Sequence, residues 1–110
     1  MPWWRKPKTH ATEMKRVAGA ARFRAIIRGR VQMVGFRAFA EERAIRYGAT
    51  GYVHNLSSGD VEVVAEGDKS LLEEFLAELR KGPRGAFVRE VIANWEAATG
   101  EFREFFIRFG

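Results

Sequence analysis

Arg22-Phe23-Arg24-Ala25-Ile26-Ile27-Arg28-Gly29-Arg30-Val31-Gln32-Met33-Val34-Gly35-Phe36-Arg37 is the stretch on which the reading of the fold turns. In its first part Phe23, Ala25 and Ile27 alternate with Arg22, Arg24 and Arg28, the period of a strand with one face on a core. Gly29 ends that run, and Gly29 to Gly35 reads as a loop. From Phe36 the period changes to that of a helix, with Phe36, Ala40, Ala44 and Tyr47 on one side and Gly48 as the C-terminal stop.

Downstream, Gly51-Tyr52-Val53-His54-Asn55-Leu56 and Val61-Glu62-Val63-Val64-Ala65-Glu66 flank Ser57-Ser58-Gly59-Asp60. Turn residues between two strand-like runs predict a hairpin. Asp68 is then a candidate N-cap for a helix whose stripe is Leu71 or Leu72, Phe75, Leu76 and Leu79. Glu73 and Glu74 lie early in it and Arg80 and Lys81 late, before Gly82-Pro83. Phe87 to Trp95 is strand-like, Thr99-Gly100 reads as a turn, and Phe105, Ile107 and Phe109 alternate with Phe106 and Arg108 to the C-terminus.

The order β-α-β-β-α-β plus a last strand predicts an α+β, ferredoxin-like split βαβ sandwich: an antiparallel sheet with two helices on one face. The helices are expected to cover Phe23, Ala25, Ile27, Val61, Val63 and Ala65. The outward positions are Arg24, Ile26, Arg28, Glu62, Val64 and Glu66. Fold of this kind decides nothing about function.

A chain of 110 residues accommodates one domain. The absence of cysteine excludes disulfides and thiolate chemistry and suits a reducing cytoplasm. No apolar run approaches the ~20 residues of a membrane span, and the first residues lack the apolar core of a secretory signal. The net charge of +5 is concentrated at the N-terminus, where Arg5, Lys6, Lys8, Lys15 and Arg16 face only Glu13. Residues 1–20 are therefore read as a basic, disordered tail and 21–110 as the domain, with Met14 an alternative start. Trp3 and Trp4 could stack on RNA, but a solvated extension is the plainer account of the tail.

The chemistry is expected between the first strand and the first helix. A loop bounded by glycines can turn backbone N–H groups inward, and the helix adds the positive end of its dipole, which makes a cradle for phosphate. Arg37, in the first turn, can reach the same anion with its planar fork. By itself such a loop is better read as an ordinary strand-to-helix connection. Asparagine ahead of a turn, as at Asn55, commonly bonds only backbone.

Gly29-Arg30-Val31-Gln32-Met33-Val34-Gly35-Phe36-Arg37 closely resembles the first signature of the acylphosphatase family. Gly51-Tyr52-Val53-His54-Asn55-Leu56, followed by Gly59 to Gly67, resembles the second, and the likeness runs over about residues 22–110. The resemblance implies a ferredoxin-like enzyme that hydrolyses acyl phosphates to carboxylate and inorganic phosphate by in-line attack of water, with no metal or other cofactor. It implies Arg37 and Asn55 as the catalytic pair and Arg30, Val31, Gln32, Met33, Val34 and Gly35 as the phosphate-binding loop. The expected partner is a small-molecule acyl phosphate, with neither a membrane nor nucleic acid, and the expected state is a cytoplasmic monomer. The family usually has glycine where this chain has Met33. A need for φ > 0 there would strain a methionine; a need for close approach only would leave its side chain turned away. The second is the expectation.

The leaving carboxylate is the conjugate base of an acid with a pKa of about 4, so cleavage needs no strong general acid. An arginine with backbone donors can hold the phosphoryl charge, and a neutral amide can orient water. His54, on the strand face opposite Asn55, is read as a surface residue. Asp60, Glu62 and Glu66 are read as solvated edge charges and not a metal cluster. Two rivals share the fold. An RNA-binding module would need stacking aromatics at the outward positions, which hold mainly arginine, glutamate and aliphatic residues. A domain that binds a phosphorylated ligand without turnover would bind phosphate and leave acyl phosphates intact.

Overall fold

The computed structural model describes residues 19–109. The expectations for the basic tail and for Met14 fall on residues outside that range. Seven elements follow one another: β1 (Ala20–Arg30), α1 (Phe36–Arg46), β2 (Thr50–Asn55), β3 (Val61–Asp68), α2 (Lys69–Lys81), β4 (Phe87–Glu96) and β5 (Phe105–Ile107). The strands form one sheet in the order β4-β1-β3-β2-β5. The β1–β3, β1–β4 and β2–β3 ladders are antiparallel, as a ferredoxin-like sandwich requires. The added strand β5 instead runs parallel to β2, so the complete sheet is mixed.

All six residues expected under the helices, Phe23, Ala25, Ile27, Val61, Val63 and Ala65, are fully buried. They meet Phe36, Ala40 and Ala44 of α1 and Leu72, Phe75, Leu76 and Leu79 of α2, while Leu71 turns to solvent. Asp68 caps α2, its side chain accepting from the Ser70 and Leu71 N–H groups. Glu73 and Glu74 fall beyond the first turn, which holds no acidic residue, so that end is stabilised by the cap.

Three expectations change. Gly29 does not end β1, which continues to Arg30. The ladder to β4 slips by one residue between Arg28 and Gly29, a bulge that keeps the strand paired. A Cβ at Gly29 would lie 2.1 Å from the Phe87 carbonyl oxygen, so glycine is required here by close backbone approach. Thr99-Gly100 forms no tight turn but belongs to an extended connection between β4 and β5. The last strand covers only Phe105–Ile107, although the Arg108 N–H still donates to the Val53 carbonyl at 2.9 Å.

The helix-free face also departs from its expected solvation. Glu66 is fully buried, because β3 sits in the middle of the sheet rather than at an edge. Its carboxylate accepts from Arg22 at 3.1 Å, from the Thr99 N–H at 2.9 Å and from the Gly100 N–H at 2.8 Å, anchoring the β4–β5 connection. Val64, also fully buried, lies in register between Arg24 and Tyr52. His54 is 9% exposed, not a surface residue. It pairs with Glu62 at 2.6 Å, and Glu62 in turn accepts from Arg24 at 2.7 Å. Asp60 lies 3.7 Å from Arg28. The aromatics of this face, Tyr52, Phe102 and Phe106, cluster on the β2–β5 side rather than on β1 and β3.

Candidate functional site

The turn from β1 into α1 and the end of β2 border one cavity of about 170 Å³, lined by Val31, Met33, Gly35, Phe36, Arg37, Ala38, Asn55, Ile107 and Phe109. Strand β1 delivers the chain to the loop, and Val31, 1% exposed, anchors it in the core. Gly35 then adopts φ 78° and ψ 18° as the N-cap of α1. This left-handed conformation is open to glycine at little cost, and a glycine brings no side chain to cap the helix. Helix α1 accordingly starts with no side-chain cap bond and no acidic residue in its first turn. Among the described residues, no backbone N–H from Gln32 to Gly35 donates to a backbone acceptor. The positive end of the α1 dipole lies beside these N–H groups at the border of the cavity.

Arg37 enters from the first turn of α1. Among the described residues no carboxylate lies within ion-pair distance of it; its guanidinium stacks 4.9 Å from the centre of the Phe109 ring. Stacking holds the plane and leaves the N–H fork available to an anion. Asn55 closes the opposite side as the last residue of β2, with the parity of Val53 and not of His54. Its Oδ1 is buried and has no hydrogen-bond partner among the described residues. The reading of Asn55 as a residue that merely bonds nearby backbone through this oxygen therefore fails.

The loop residues divide. Val31, Met33 and Gly35 line the cavity. Arg30 is exposed and paired with Phe87 at the end of β1, and Val34 packs against the core. Gln32 turns its carboxamide the other way: Nε2 donates to the carbonyls of Leu56 at 2.8 Å and Asp60 at 2.9 Å. Those two residues also close the β2–β3 turn, through the Leu56 N–H to the Asp60 carbonyl. One side chain thus ties the β1–α1 loop to the hairpin that carries Asn55. Met33 has φ 64°, so the position does demand the left-handed region, contrary to expectation. Its side chain is nonetheless fully exposed. Holding a non-glycine residue there costs about 1–2 kcal/mol.

The sequence pattern marks Ile107 and Phe109 as strand residues and gives them no place in the site. Their alternation places them on one face, but only the parallel pairing of β5 with β2 brings that face to Asn55. Among the described residues no group of three or more His, Asp or Glu side chains converges as metal ligands, and no helix is long and apolar enough to cross a membrane.

Fold and cavity together define a ferredoxin-like α+β domain with a small cavity at the start of its first helix. The model of the acylphosphatase family matches residues 23–107. The chain is 49% identical over 87 residues to the acylphosphatase of Dehalococcoides mccartyi strain 195, a match covering 78% of this chain and 96% of that protein. It is 51% identical over 76 residues to the acylphosphatase of Thermus thermophilus, covering 69% of this chain and 86% of that one. The crystal structure of acylphosphatase from Bacillus subtilis superposes with a TM-score of 0.78 at 31% identity, over 80% of this chain and 98% of that one. The chain belongs to the acylphosphatase family.

Proposed function

We infer that Arg37 and the uncapped start of α1 hold the phosphoryl group of an acyl phosphate, and that Asn55 places the water that attacks it. Membership of the family makes the chain an enzyme that hydrolyses acyl phosphates. The observation that carries the residue assignment is the convergence, on one cavity, of an arginine without a carboxylate partner and a buried amide oxygen without a donor among the described residues. The first suits a phosphoryl dianion; the second suits a water O–H.

Phosphoryl oxygens would sit against the Arg37 fork and the N–H groups around Gly35, where their charge is met by donors already in position. Water bonded to Asn55 Oδ1 would approach phosphorus opposite the carboxylate. As its oxygen bonds to phosphorus, the bond from phosphorus to the acyl oxygen breaks, and the electron pair leaves with the carboxylate. Both protons of the water remain on the phosphate, giving dihydrogen phosphate. The carboxylate needs no proton to leave, so no acid side chain is required. We further read the protein as a cytoplasmic monomer that acts on small molecules without a metal, in keeping with its cysteine-free composition.

Steady-state kinetics with benzoyl phosphate tests the assignment. Arg37→Ala should raise KM and lower kcat together, reducing kcat/KM by about a hundredfold or more. Asn55→Ala should lower kcat with KM within about twofold, because the anion cradle stays intact. Wild-type kcat/KM in both variants would refute the assignment.

A further inference from the structure

We propose that Met33 and Phe109 form an apolar mouth that selects acyl phosphates with a bulky apolar acyl group over small or charged ones. The proposal rests on the reading of the cavity given above and concerns the half of the substrate that Arg37 does not touch. With the phosphoryl group at the start of α1, the acyl group must extend toward the open side of the cavity. Three apolar side chains border that side: Met33, fully exposed, Phe109, 75% exposed, and Ile107. The remaining lining side chains apart from Arg37 and Asn55 are Val31, Phe36 and Ala38. Among the described residues no acidic and no second basic side chain lines the cavity, so a charged acyl group would lose hydration without gaining a partner there.

Met33 adds an independent argument. It is the only non-glycine residue with positive φ among the described residues, and its side chain is fully exposed. The path of the loop into α1 sets that conformation, so a methionine here extends an apolar side chain from a backbone position that glycine would hold without strain. An unbranched thioether adapts its shape to varied apolar groups, and Phe109, which lines the same cavity, is already steadied by Arg37.

The test compares kcat/KM for benzoyl phosphate with that for acetyl phosphate, in the wild type, Met33→Asn and Met33→Leu. Asparagine tolerates the left-handed region and removes the apolar reach; leucine keeps the reach. The benzoyl-to-acetyl ratio should fall about tenfold in Met33→Asn and stay within about twofold in Met33→Leu. A melting temperature for each variant no lower than that of the wild type ensures that folded proteins are compared. An unchanged ratio in Met33→Asn, or an equal fall in both variants, would overturn the proposal while leaving the catalytic reading intact. A wild type that hydrolyses neither compound would overturn the catalytic reading itself.

Discussion

Arg37 and Asn55 show what single residues disclose in advance. They lie 18 positions apart in the sequence, and the fold brings both to the lining of one cavity. Met33, His54 and Glu66 show what they conceal. Whether position 33 needs φ > 0 depends on how the loop enters α1, and nothing in the local residues states it. His54 and Glu66 look like solvated polar positions because alternation gives the face of a strand but not its place in the sheet. Once β3 lies at the centre and the β4–β5 connection crosses over it, Glu66 becomes a buried acceptor for Arg22, Thr99 and Gly100. Removing it leaves the Thr99 and Gly100 N–H groups without their acceptor, while Arg22 keeps Glu96 and Glu101. Glu66→Ala should therefore cost about 2–4 kcal/mol, read from the urea midpoint. A loss below about 1 kcal/mol would mean that the carboxylate is replaceable by water.

At the scale of elements, the period changes at Phe36 and Asp68 located α1 and α2, and the hairpin followed from its turn residues. The bulge at Gly29 and the pairing of β5 were not legible. A bulge leaves hydrophobic alternation almost unchanged, and a three-residue strand carries no sign of which edge it joins or in which direction. That pairing brings Ile107 and Phe109 to the site, so its apolar side was hidden along with it. The link between loop and hairpin is Gln32, which spans 24 residues of sequence to reach the Leu56 carbonyl. Gln32→Ala should let the β2–β3 turn shift relative to the loop, moving Asn55 and not the anion donors. The expected result is a kcat lowered by about tenfold or more with little change in the inhibition constant of inorganic phosphate. Equal losses in both would place Gln32 in the anion cradle instead.

Across the whole molecule, two faces of one sheet divide the labour. The helix-covered face holds the apolar core and ends at the cavity; the other holds a layer of ion pairs. Burial alone would raise the Glu62 carboxyl, but hydrogen bonds from His54 and Arg24 more than offset it and hold it below its ordinary value of 4.5. Glu78 is lowered by its bonds from Tyr47 and Arg43, and Glu101 by those from Arg22 and Thr99. A carboxyl depressed in the folded state contributes stability above its unfolded pKa and loses it as pH falls through the folded value. Denaturant unfolding should therefore show stability little changed from neutral pH down to the ordinary carboxylate range, then falling below it. Glu62→Gln should flatten that acid limb. An acid limb of unchanged slope in Glu62→Gln would exclude this pair as a source.

The central claim is that water, placed by Asn55, attacks the phosphorus held by Arg37. It is tested most directly by letting the purified protein hydrolyse benzoyl phosphate in isotope-labelled water with EDTA present. The account requires turnover to survive the chelator, with the heavy oxygen in inorganic phosphate and none in benzoate. Label in benzoate would mean attack at the carbonyl carbon, and loss of turnover on chelation would mean that a metal performs the work assigned here to Arg37.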